Sequence, residues 1–385
     1  MNEFTFSVPQ NIIAGKGCLT KLPELVKKLG ADHAFIISGP HLNRMGLVDT
    51  CRRLLQESHI QSDAFTETEG NPSVETVDKA AEAFRRSGAQ CMIALGGGSP
   101  MDVAKAAGIL VKYGGSITEY EGGGKVPGKI VPLIAVPTTA GTGSEVTAFS
   151  VITDCSRNYK LTVFSYELIP EYALLDPELL VSVPSNVAAA CGVDAMVHAI
   201  EAYISTAASP FSDAMAEKAL ELIGGNIRRY VANRKDEEAA AAMLSGSMFA
   251  GIAFSWARLG NVHAMSHPVS AMYHVPHGVA NAILLPVVME YNALADRGRY
   301  RKIYSYITGK NVKKEEFEPQ MLTEALRELN RELGIPESLR EVGVGEERIA
   351  AMAADAMKSG NILVNPRSTE QKDVEMLYRK AFTKV

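Results

Sequence analysis

Five of the chain's eight histidines (His198, His263, His267, His274 and His277) fall between Cys191 and Gly278. Asp194 and His198 stand four residues apart in CGVDAMVHAIEAY, a run with helical periodicity, so both side chains leave one face a turn apart. His263 and His267 repeat that spacing in GNVHAMSHPVSAMYHVPHG, and His277 follows Pro276, where a helix starts or ends. Both segments are rich in Ala, Met, Val and Gly, so imidazoles buried among them need partners. A single Asp–His pair of this spacing more often makes a surface pair or a buried hydrogen bond. Two such segments with almost no charge to solvate them favour a divalent metal instead, iron(II) or zinc.

Two glycine-rich stretches carry the second chemistry. GGGSPMDVAK (Gly96–Lys105) lies between an apolar strand and a helix. Its glycines let a ligand approach the backbone, and the amides opening the helix favour a phosphate. A tight strand–helix turn would need one glycine or two; a third, with Ser99, points to phosphate binding. It is not the GxGxxG fingerprint and comes late in the α/β order, which excludes a simple Rossmann match. TTAGTGSE (Thr138–Glu145) follows a second apolar strand, IVPLIAVPTT, with hydroxyls and glycines interleaved. It is either a contact for a cofactor's ring or ribose or a merely polar loop. Two such strand ends side by side are where an open α/β sheet holds a dinucleotide.

The elements that must position these residues follow from periodicity. Residues 3–15 alternate as a strand, Leu19–Leu29 is an amphipathic helix, and His33–Gly39 is an apolar strand. Arg44–Ser58 reads as a helix, Ser62–Thr66 as a strand, and GNPS (Gly70–Ser73) as a turn and helix N-cap. A helix at Val74–Ser87 leads into the buried strand CMIALGGGS. This alternation predicts a parallel sheet covered by helices on both faces. After Ser182 strand patterns give way to helical ones, among them Phe317–Leu333 and Glu346–Lys358. The expected division is an α/β dinucleotide-binding domain over 1–182 and a helical metal-binding, catalytic domain over 183–385.

Composition limits the partners. A chain of 385 residues exceeds one ordinary core. The formal net charge of −5 offers no basic stripe for nucleic acid. The five cysteines are scattered without a CxxC, which argues against a disulfide framework or a thiolate zinc site. MNEFTFSVPQ lacks the layout of a signal peptide, and the apolar runs Ile130–Thr138 and Ala280–Met289 are too short to span a bilayer. A reducing, cytoplasmic setting is expected, with no membrane partner.

In its motifs the chain resembles the iron-dependent (group III) alcohol dehydrogenases. GGGSPMDVAK, TTAGTGSEVT, DAMVHAIEAY, VHAMSHP, PHGVANAILLP, GIPESLREVGV and NPR (Asn365–Arg367) occur in that family's order and spacing, across essentially the whole chain. The resemblance implies a dehydroquinate synthase-like fold: a parallel-sheet dinucleotide domain, an all-helical C-terminal domain, and the metal in the cleft between them. Carried over by position, the metal ligands are Asp194, His198, His263 and His277. His267 is a catalytic position beside nicotinamide and substrate, a candidate proton relay. Asn71, Gly97, Gly98, Ser99, Asp102, Thr138, Thr139, Thr142, Ser144 and Lys160 match cofactor contacts. His274 reads as a hydrogen-bonded loop histidine. The activity implied is interconversion of a small primary alcohol or diol with its aldehyde, using Fe2+ (or Zn2+) and NAD or NADP, in a homodimer or larger homo-oligomer.

Three positions depart from the family pattern. Gly39 stands where NAD-selective members carry Asp, whose carboxylate would repel a 2′-phosphate. NADP is therefore admissible, unless Gly39 merely makes a turn. Trp256, the chain's one tryptophan, and Arg258 replace smaller residues before the first His segment. Trp256 would narrow a pocket; Arg258 would attract an aldehyde bearing an acid group, or else pair with a structural carboxylate. The alternatives are a glycerol- or polyol-type zinc dehydrogenase and a metallohydrolase, and the latter leaves both glycine-rich strand ends unexplained.

Overall fold

The computed structural model describes residues 10–157 and 159–383. Its first half alternates strands and helices: β1 (Asn11–Ala14), α1 (Leu22–Lys28), β2 (His33–Ile37), α2 (Pro40–Arg44), α3 (Leu47–Glu57), β3 (Gln61–Phe65), α4 (Val74–Ser87), β4 (Cys91–Gly96) and α5 (Gly98–Tyr113). There follow β5 (Gly122–Gly123), β6 (Leu133–Pro137), β7 (Phe149–Asp154), β8 (Tyr159–Phe164) and β9 (Tyr172–Leu175). The strand expected over 3–15 appears as β1; residues 3–9 lie outside the described residues. The helix expected over Arg44–Ser58 appears as α3, which starts only at Leu47 because its N-cap Gly46 takes φ 78°; the short α2 before it was not anticipated. Ser73 caps α4 as its type predicts, its side chain accepting from Thr76 N–H.

Six strands form one parallel sheet in the order β1-β9-β6-β4-β2-β3. The inner strands β2, β4, β6 and β9 are buried on both faces and read as apolar runs, whereas the edge strands β1 and β3 are partly exposed. Phe35, Ile37, Met92 and Ala94 pack with α4 and α5. Ala34, Ile36, Ile93 and Leu95 face the opposite layer, with α1 and α3. Each fully buried large side chain stabilises the fold by about 1.5–3 kcal/mol. After β2 the chain crosses to the edge strand β3, whereas after β4 it crosses the other way to β6. The carboxyl ends of these central strands are therefore the switch point of the sheet. A smaller sheet, β5-β8-β7, was not anticipated; β7 and β8 form its antiparallel hairpin.

The later part is helical: α6 (Ser185–Ile204), α7 (Pro210–Ala232), α8 (Glu237–Ala257), α9 (Asn261–Tyr273), α10 (His277–Asn292), α11 (Arg299–Thr308), α12 (Pro319–Glu332), α13 (Ile349–Ala356) and α14 (Gln371–Ala381). Helix α6 packs on α7, α8 and α10. Two compact units result. One takes the described residues up to Thr139 together with Gly143–Val181; the other takes Ala140–Thr142 and the chain from Ser182 onward.

Ser185–Ile204, Glu237–Ala257 and His277–Ala295 are long and apolar enough to cross a membrane by length and composition alone. The sequence reading undercounted here, since the run at Ala280–Met289 is only part of α10. In the fold these helices are core: 89%, 72% and 67% of their most apolar windows are buried.

Candidate metal centre and dinucleotide loops

Asp194 and His198 project from one face of α6, and both are buried. His263 stands in the first turn of α9, and His277 opens α10 after Pro276. Gly278 makes this meeting possible: a Cβ there would lie 2.3 Å from the Ala190 carbonyl oxygen, so α10 can touch α6 only with hydrogen at that position.

Ligand atoms of Asp194, His263 and His277 lie within 4.8 Å of one another. Asp194 Oδ1 is 3.7 Å from His263 Nε2 and 4.0 Å from His277 Nε2. Two donors on one ion stand at most roughly 4.4 Å apart, given bonds of about 2.2 Å, so these separations suit a single cation. His198 is adjacent but outside that group of three. Its ring stacks between Phe254 and His263, 4.5 Å from each centroid, and its Nδ1 is 3.2 Å from Gly141 O. His267 is a further step away, with ring centroids 6.3 Å from His263 and 5.3 Å from His277. His274 is exposed in the left-handed conformation that ends α9, as a loop histidine would be.

The donor set fits a divalent cation. His198 and His263 each turn Nδ1 toward an acceptor oxygen, of Gly141 and of Glu201 respectively. Those partners select the tautomer with a lone pair on Nε2, the form that binds metal. Burial holds the His263 imidazole well below its ordinary pKa, and the neighbouring His198 adds to this, so it is a neutral ligand. One further residue crowds the centre. Asn281 Nδ2 lies 2.6 Å from Asp194 Oδ1, 3.1 Å from His263 Nε2 and 3.2 Å from His277 Nε2. Two amide protons cannot serve three acceptors, and Asn281 Oδ1 is buried without a hydrogen-bond partner.

Glu201 and Asn281 were absent from the sequence-derived set, though signals for both existed. Glu201 is the charged residue on the Asp194–His198 stripe, and Asn281 follows His277 at the same four-residue spacing. NPR proves structural: Asn365 Oδ1 accepts from Asn261 N–H at the start of α9, and Arg367 stacks 3.8 Å over Tyr291.

In the α/β unit, Gly39, Gly97, Gly98, Ser99, Thr138 and Thr139 gather at the carboxyl ends of β2, β4 and β6, which neighbour one another. Gly96 has φ 151° and would drive a Cβ to 2.7 Å from Pro100 Cγ. A Cβ on Gly97 would stand 3.0 Å from Thr139 Oγ1, and one on Gly39 3.0 Å from Thr68 O. The half-buried Gly97–Ser99 segment starts α5 without a side-chain cap, which leaves its first amides for an anion. Below it, Ser144 Oγ donates to Asp102 Oδ1 at 2.9 Å. Burial pushes the Asp102 carboxyl up to about 6.

Lys105, also missed, is fully buried. Its Nζ lies 2.7 Å from Ser144 O, 3.0 Å from Thr147 O and 2.9 Å from Phe149 O, tying that loop to α5. Asn71 takes φ 58°, and its Oδ1 accepts from Lys160 Nζ at 2.7 Å. Thr142 belongs, with Ala140 and Gly141, to the helical unit. Trp256 is half-buried, and Arg258 is exposed with φ 60° at the end of α8.

Comparison with known proteins gives two family matches that together take in nearly all of the chain. Residues 9–177 match the family described as iron-containing alcohol dehydrogenase, and residues 188–382 the Fe-containing alcohol dehydrogenase family, C-terminal. The chain is 34% identical over 378 residues to the NAD-dependent methanol dehydrogenase of Bacillus methanolicus, covering 98% of this chain and 99% of the other. It is 38% identical over 372 residues to the lactaldehyde reductase of Escherichia coli (strain K12), covering 96% and 97%. A solved 1,3-propanediol oxidoreductase superposes with a TM-score of 0.95 at 35% identity, covering 99% of this chain and 100% of that one.

Proposed function

The chain belongs to the iron-containing alcohol dehydrogenase family, and we propose that Asp194, His198, His263 and His277 hold its metal while the strand ends of the α/β unit hold its nicotinamide cofactor. It is a metal-dependent, NAD-linked oxidoreductase that interconverts a small alcohol and its aldehyde. The observation that carries the site assignment is the convergence of ligand atoms from Asp194, His263 and His277 within 4.8 Å. When bound, iron supplies a Lewis acid that stabilises negative charge on the substrate oxygen, and the nicotinamide supplies the hydride acceptor or donor.

The chain's own residues do the rest. The Gly97–Ser99 amides bind the pyrophosphate, and Asp102 orients Ser144. His267, half-buried beside His277, accepts the hydroxyl proton in oxidation and returns it in reduction. The polyol-type zinc enzyme and the metallohydrolase are not favoured by the relatives, which are named for alcohols, a diol and an aldehyde.

The finer reading admits NADP as well as NAD, because Gly39 at the end of β2 brings no carboxylate to the ribose. It places the protein in a reducing cytoplasm, supported by the buried free thiols Cys18, Cys51 and Cys91. It includes self-association, supported by the outer edge of β1 at one side of the main sheet, which no other strand among the described residues pairs.

The test is oxidation of NADH and NADPH, side by side, with a short aldehyde. Chelator-treated protein is reconstituted anaerobically with iron(II) or zinc, and sedimentation gives the assembly size. Activity that returns only with metal is the expected result. Cofactor binding without activity under any metal would overturn the substrate class, and no cofactor binding would overturn the whole reading.

A further inference from the structure

Helix α9 starts in the protein interior. Asn261 and Val262 are fully buried, and the N-cap is Gly260, which brings no side chain. Buried first-turn amides without acceptors are costly, at about 1–3 kcal/mol each. The Val262 N–H is answered from another helix: it donates to Glu201 Oε1 at 2.7 Å. The second oxygen of the same carboxyl, Oε2, lies 2.6 Å from His263 Nδ1. Glu201 and His263 are each about 2% exposed. Glu201 follows Asp194 by seven residues and His198 by three, so α6 presents all three on one stripe.

Nothing in local helix stability calls for a carboxylate at that position. Moving one out of water carries a penalty of several kcal/mol, which only good geometry offsets. The geometry here is specific. One oxygen holds the backbone of the turn that carries His263, and the other holds the ring of His263 itself. Together they anchor that ring through the adjoining backbone and through Nδ1. Its Nε2 is thereby aimed at the side where Asp194 Oδ1 and His277 Nε2 lie.

We infer that Glu201 is the positioning residue of the metal centre, gripping His263 at Nδ1 and at the preceding turn so that Nε2 is a preorganised ligand. The inference rests on the metal reading of Asp194, His263 and His277. A carboxylate behind a ligating imidazole fixes the ring and raises its basicity, and loss of such a partner weakens metal binding by about 10–100-fold.

The experiment titrates cobalt(II) and zinc(II) into chelator-treated wild type, Glu201→Gln and Glu201→Asp. It records metal dissociation constants, the visible spectrum of the cobalt(II) protein and, as a control for folding, the NADH dissociation constant. Glu201→Gln can offer a carbonyl oxygen to only one of its two donors. The expected result is a metal affinity 10–100-fold weaker with an altered cobalt spectrum and unchanged NADH binding; Glu201→Asp should fall between the two. Combined with His263→Ala, the Glu201→Gln change should cost little more, since the ring it grips is gone. Equal metal affinity and an identical cobalt spectrum in wild type and both variants, with only the melting temperature lowered, would make Glu201 a mere helix cap. That result would overturn the inference while the metal centre stands. Failure of the wild type to bind either ion would overturn the metal reading, and this inference with it.

Discussion

Gly278 Cα lies so close to the carbonyl oxygen of Ala190 that any Cβ would stand 2.3 Å from it. The contact brings α10 onto α6 and thereby sets His277 opposite Asp194. Gly278→Ala should therefore force the helices apart, destabilising the protein by about 1–3 kcal/mol or more. It should also reduce metal stoichiometry. Urea unfolding and metal analysis of the purified variant read both effects, and a variant with wild-type stability and full metal content would refute the argument.

At the strand ends the close approach is between Gly97 and Thr139, where a Cβ would be 3.0 Å from Oγ1. Gly97→Val should shift the loop that opens α5 and weaken NADH binding about tenfold or more, which is ~1.4 kcal/mol. Metal content should be unchanged. Fluorescence titration with NADH, alongside metal analysis, separates the two sites.

Arg258 adopts φ 60°, ψ −172°, a region that is nearly exclusive to glycine. Arg258→Gly should raise thermal stability, by about 1 kcal/mol, by relieving that strain. If the guanidinium also selects substrates, the same variant should lower turnover of aldehydes bearing an acid group relative to neutral ones. Melting curves test the first outcome and paired kinetics the second; an unchanged ratio assigns Arg258 no part in selection.

Burial pushes the Glu145 carboxyl up from 4.5 to about 7, against its own backbone amide and Lys105. A folded pKa above the unfolded one means that the native state holds more protons between these values. The contribution to stability is thus fully present below about pH 4.5 and lost as pH rises through about 7. Glu145→Gln should remove this slope, so the stability of the variant relative to wild type should rise with pH across that window by on the order of 1–3 kcal/mol. Denaturant melts at several pH values measure it; parallel curves for the two proteins would contradict the burial argument.

The order of strands and helices through α5, the cap at Ser73, the glycine-rich strand ends and the histidine-bearing helices were all legible in the sequence. Each depends on neighbours within a turn or two along the chain, which is the range that periodicity and capping report. The start of α3 after Gly46, and the short α2 before it, were missed because a glycine inside an apolar pattern does not announce its φ. The β7–β8 hairpin was missed because its strands alternate buried and half-buried residues instead of forming continuous apolar runs.

The sequence by itself determined which residue types were available for metal and phosphate, and which face of each helix carried them. Only the tertiary structure decided which of them meet. Asn281 reaches Asp194 across 87 positions, Glu201 reaches His263 across 62, and the Gly141 carbonyl reaches His198 across 57. A 3.6-residue period states that a face is apolar or functional, but not which other helix will cover it. That is settled by shape at close contact: the missing side chain of Gly278, the stacked rings of His198 and Phe254, and the uncapped start of α9 that Glu201 completes.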